Sequence, residues 1–103
     1  MEASRETKRR GVLNNTDLKE RILKKFPEFN ITEFVRFLPY LDYVVKNQGF
    51  YDRKKMSTNE CEMLYTLHEK GQIGRTYERI EFVTKEFYDL MQDVLFDCYV
   101  CIK

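Results

Sequence analysis

From Thr76 to Ile102 the chain runs 27 residues without a glycine or a proline. Drawn as one α-helix, such a stretch is ~40 Å long, about the width of a small domain. A chain of 103 residues cannot enclose a rod of that length and has to be built along it. On a helical plot Ile80, Val83, Phe87, Leu90, Met91, Val94, Leu95 and Cys98 fall on one half, and Glu78, Lys85, Glu86, Asp89, Asp93 and Asp97 on the other. Thr76 is placed to cap this element.

The segments before it read as three shorter helices. Asn15 or Thr16 caps the first, where Leu18, Ile22 and Phe26 form a narrow apolar stripe that Pro27 terminates. Thr32 is the expected cap of the second, which runs to about Gln48 with Gly49 as its stop. Its apolar side holds Phe34, Phe37, Leu38, Leu41, Val44 and Val45; Pro39 plots on the opposite side, where a kink bends the helix around its core. After a loop, GFYDRKKM, Ser57 and Glu60 form a capping box for a third helix that Gly71 closes. Residues 1–15 are polar, basic and aperiodic, which predicts a flexible arm preceding one domain over 16–103. Four helices with short connections imply an all-α fold, a small four-helix bundle with a long C-terminal helix. The alternative is a winged-helix-like α+β fold in which Tyr77–Val83 is a strand, because TYERIEFV alternates, though imperfectly.

Net charge is +1, so no global field selects a polyanion. The distribution is uneven: residues 1–25 hold eight Lys and Arg against four Asp and Glu, and residues 76–103 hold three against six. Residues with A/T-rich codons (Phe, Tyr, Met, Ile, Asn, Lys) supply 39 positions, a bias that suits a phage or mobile-element accessory protein. MEASRETKRR lacks the apolar segment of a secretory signal, and Arg36, Asp42 and Asp97 interrupt the apolar runs. With three cysteines, the expectation is a cytoplasmic protein with reduced thiols and no membrane span.

Little here suits catalysis. Cys98-Tyr99-Val100-Cys101 is a lone C-x-x-C at the end of a helix, where the dipole and Asp97 oppose the thiolate that redox chemistry needs. Cys61 and His68 stand ~10.5 Å apart along one helix, too far to converge easily on zinc. No paired carboxylates, Ser/His/Asp set or Gly-rich phosphate loop appears. The expectation is a non-enzyme without cofactor or metal: a protein–protein interaction module, an adaptor or inhibitor of a larger machine. Its docking residues would be Phe82, Asp89, Asp93 and Phe96, two aromatic anchors in an acidic surround. A homodimer through the long helix is a further arrangement that the apolar face allows. The alternative function is a nucleic-acid-associated accessory protein using Arg5, Lys8, Arg9 and Arg10 of the arm and Arg53, Lys54 and Lys55 of the loop, beside Phe50 and Tyr51. A helix-turn-helix forced onto 57–97 would present Glu86, Asp89 and Asp93 to phosphate, which excludes that mode.

Overall fold

Helix α1 spans Thr16–Lys25, with the Asn15 side chain accepting from the Leu18 amide. Leu18 and Ile22 are buried on one side, and Phe26, non-helical before Pro27, turns inward behind them. The computed structural model describes residues 12–100. Leu13, just before α1, is already in the core. The Asn14 and Asn15 amides donate to one Asp97 carboxylate oxygen at 2.7 and 3.2 Å, tying the start of the described chain to its end.

Helix α2, Ile31–Lys46, is one continuous helix through an exposed Pro39. Asn30, not Thr32, is its cap. Phe34, Val35, Phe37, Leu38, Leu41 and Val44 are buried, so this helix is the spine of the core. Rings from three places meet there. Phe26, Phe29, Phe34 and Phe87 pack with centroids 5.0 to 6.5 Å apart, within the range of favourable aromatic pairs. Helix α3, Thr58–Glu69, has the expected Ser57–Glu60 capping box and ends at Gly71, whose φ is 75°.

The long C-terminal helix is not formed, and the all-α four-helix bundle is corrected with it. Among the described residues there are four α-helices and a small two-stranded antiparallel sheet. Strand β1 is Ile73–Arg75 and strand β2 is Ile80–Val83; helix α4 begins only at Lys85 and runs to Leu95, followed by one π-helical turn, Phe96–Val100. Thr84, not Thr76, caps α4 by accepting from the Phe87 amide. Two causes act together. Tyr77, Ile80, Phe82 and Val83 are strand formers, and their backbone finds partners on both sides. Ile73 faces Val83 and Gly74 faces Phe82 across the hairpin. On the other edge the Ile80 amide donates to the Gly49 carbonyl (2.8 Å), and Tyr51 donates to that of Glu78 (3.0 Å). The strand lies within the segment that the alternative reading made a strand, but is shorter, and Thr76–Arg79 is its turn.

The register explains the imperfect alternation. Gly74 pairs with Phe82 and Arg75 with Ile80, leaving Glu81 as an extra residue on β2. Such a bulge breaks the period of two. Ile80 is buried, Glu81 and Phe82 are exposed, and Val83 is half-buried.

Candidate nucleic-acid interface

The hairpin is fixed from beneath by Tyr51. This ring is buried, and its hydroxyl lies 2.7 Å from the Tyr77 carbonyl and 3.1 Å from that of Thr76. Arg75 Nη1 donates to the same hydroxyl at 3.3 Å, while its buried Nε finds no hydrogen-bond partner in the protein. Tyr51 is thus a structural support, not the surface aromatic expected from its place in the loop.

Arg53–Lys55 is a single 3₁₀ turn capped by Asp52, whose side chain accepts from the Lys54 amide. The Tyr40 hydroxyl accepts from the Asp52 amide at 2.8 Å, which docks the turn on α2. All three basic side chains are exposed. The turn and the hairpin then set cations against rings distant in sequence. The Arg53 guanidinium lies 5.2 Å from the Tyr77 ring, Arg79 lies 5.2 Å from Phe50, and Arg75 lies 5.9 Å from Tyr65. Each distance is within cation–π range. Among the described residues none of Arg53, Lys54, Lys55, Arg75 or Arg79 makes an ion pair. Three carboxylates share the region: Asp52, Glu78 and Glu81. Segments 50–55 and 73–83 together hold these five cations and three carboxylates, and the rings hold the guanidinium groups without neutralising them.

The acidic residues expected to face a partner are arranged differently. Asp89 pairs with Lys85 at 2.8 Å and Asp93 with Arg21 of α1 at 3.8 Å; Glu86 pairs with Lys25 at 2.7 Å. Exposed pairs of this kind add little to stability, but they neutralise the face. Phe82 and Phe96 do not share a helix. Phe82 is on β2 and 57% exposed; Phe96 begins the π turn and is 56% exposed. Phe96 lines a groove of about 800 Å³ between α2 and α4, with Pro39, Lys46, Gln92 and Leu95. Gln92 donates to Asp42 across its floor at 2.8 Å.

Arg5, Lys8, Arg9 and Arg10 lie outside the described residues. Arg75, Arg79, Tyr65 and Tyr77 join the face without having been expected there. The interleaving Arg75-Thr76-Tyr77-Glu78-Arg79 is the signal that could have found Arg75, Tyr77 and Arg79, and it is obscured when Thr76 onward is drawn as helix; nothing of the kind marks Tyr65 on α3. Cys98 is fully buried, and burial, with Asp97 adding to it, pushes its thiol up to about 11; Cys101 lies outside the described residues. Among the described residues no group of three His, Cys, Asp or Glu gathers as metal ligands would, and no helix is long and apolar enough to cross a membrane.

No family model, curated protein or solved structure matches this chain.

Proposed function

We propose that the protein is a non-catalytic, nucleic-acid-associated accessory protein of the cytoplasm, binding through the face built by the 3₁₀ turn and the hairpin. One observation carries the reading: the turn and the hairpin carry Arg53, Lys54, Lys55, Arg75 and Arg79 without ion pairs among the described residues, three of them lying against aromatic rings. The acidic side of α4 is by contrast matched within the chain. Phosphate affinity rests on cations free to displace counterions.

The test is affinity for an oligonucleotide measured over a salt series. Binding should fall steeply with salt. Replacing Arg53, Lys54 and Lys55 together with Gln should lower the slope by about 2, since each phosphate neutralised on a single strand contributes ~0.7. Affinity that is flat with salt would reject the reading.

A second reading rests on the α2–α4 groove with its exposed Phe96. An adaptor or inhibitor docking a larger protein there would lose that partner on Phe96→Asp, and its capture would survive nuclease.

A further inference from the structure

We infer that the outer face of the hairpin sheet is a stacking platform for the unpaired bases of single-stranded nucleic acid. This rests on the nucleic-acid reading above and specifies the form of the ligand.

Segment 49–51 runs beside β2 as a third, short edge, with Phe50 bridged to Arg79. Side chains alternate across a sheet. Tyr51 and Ile80 are buried on the inner side, so Phe50 and Arg79 stand on the outer one. Phe82 stands there too, opposite Gly74 and out of line with the inward Ile73. The bulge at Glu81 is what permits this: it lets Ile80 face in and Phe82 face out two positions later without breaking the pairing with β1. The sheet therefore presents two phenylalanine rings on neighbouring strands, 59% and 57% exposed, with Arg79 beside them.

Each ring has internal support. Phe82 lies on Gly74, where an added β-carbon would sit 2.1 Å from the ring. Phe50 carries the Arg79 guanidinium, itself held by donation from Nε to the Gln48 carbonyl at 2.9 Å. A ring so held needs little ordering on binding, which keeps the entropic cost low.

The occupant follows from charge and shape. Arg79 beside the rings, with Arg53, Lys54 and Lys55 on the turn that follows segment 49–51, calls for a polyanion. Flat, exposed rings call for flat partners, and a duplex keeps its base faces stacked inside. Unpaired bases on a phosphodiester chain satisfy both demands, as they do on aromatic platforms elsewhere.

The chain has no tryptophan, so Phe50→Trp supplies a unique fluorophore at the platform. Titration with oligothymidylate should quench its emission; the same oligomer paired with oligoadenylate should leave it nearly unchanged. Phe50→Ala should weaken oligothymidylate binding roughly 5- to 100-fold, the usual effect of losing one stacked base, with little effect on the duplex. Phe82→Ala should do the same, and Phe50→Ala carries the test if baring Gly74 unfolds the hairpin. Equal binding of both forms, with no quenching and no loss on Phe50→Ala, would overturn the platform while leaving a phosphate-binding face intact. No binding of either form would overturn both.

Discussion

The ring of Phe82 occupies the space over Gly74 that a β-carbon would fill: one added there would meet three ring atoms at 2.1 to 2.8 Å. An aromatic laid across a glycine on the neighbouring strand covers backbone that would otherwise be bare, and helps fix the register. Gly74→Ala should therefore dislodge the ring and cost about 1–2 kcal/mol by overpacking. Phe82→Ala should cost about 1 kcal/mol, at the upper end for a cross-strand pair. Because each change abolishes the same contact, the double variant should fall short of the sum by about 0.5–1 kcal/mol. Urea unfolding of the four proteins checks this.

Gly49 and Gly71 both have positive φ, 85° and 75°, yet their replacement should differ. At Gly71 an added β-carbon meets nothing within 4 Å, so Gly71→Ala should cost only the left-handed penalty, about 1 kcal/mol. At Gly49 it would lie 2.3 Å from the Ile80 carbonyl oxygen, which is backbone within the sheet. Gly49→Ala should cost about 3 kcal/mol or more, as backbone strain and a displaced strand combine. Equal costs in denaturant unfolding would contradict the close approach of 48–51 to β2.

Asp97 holds the amides of Asn14 and Asn15. Asp97→Ala should release that segment and cost about 1–2 kcal/mol, the usual range for hydrogen bonds to a charged acceptor, lessened by exposure. Amide exchange at Asn14 and Asn15 should accelerate much more than at Ile22 or Leu38. Asp97→Asn keeps an acceptor and should largely restore protection.

Cys98 is neutral in the fold with its thiol raised from 9.0 to about 11. A raised acid favours the folded state fully below the unfolded value, and that contribution is lost as pH climbs through the folded one. Stability should thus fall between about pH 9 and 11, on the order of 1–3 kcal/mol from this group. Tyrosines and lysines titrate in the same range, so the quantity to compare is the alkaline slope of the wild type against Cys98→Ala. The variant's slope should be shallower, and native Cys98 should resist alkylation at neutral pH.

Helices α1 and α3 are legible to their boundaries because these rest on local chemistry: Asn15, Ser57 with Glu60, Pro27 and Gly71 each act within a turn, whereas α2 is legible as a helix but is capped by Asn30 and not by the expected Thr32. The last third reads as a single helix for a physical reason. The bulge at Glu81 turns Ile80 and Val83 inward three residues apart, and Phe87, Leu90, Met91 and Val94 continue that spacing along α4. A bulged strand followed by an amphipathic helix therefore imitates one long helix, and no glycine or proline interrupts it. The β-forming content of 77–83 and the Thr84 cap are the countersigns. The candidate site is legible only in part. Arg53, Lys54 and Lys55 stand out as a basic run. Arg75 and Arg79 join them only because the hairpin folds beside segment 48–51, a pairing between residues some thirty apart, as in Gly49 with Ile80.

The most direct measurement is an amide proton–nitrogen correlation spectrum of the full chain titrated with oligothymidylate at low salt. Binding at the hairpin face should shift signals concentrated at residues 48–55 and 74–83, fading as salt rises. An unchanged spectrum, or shifts confined to 40–46 and 92–99 along the α2–α4 groove, would contradict it.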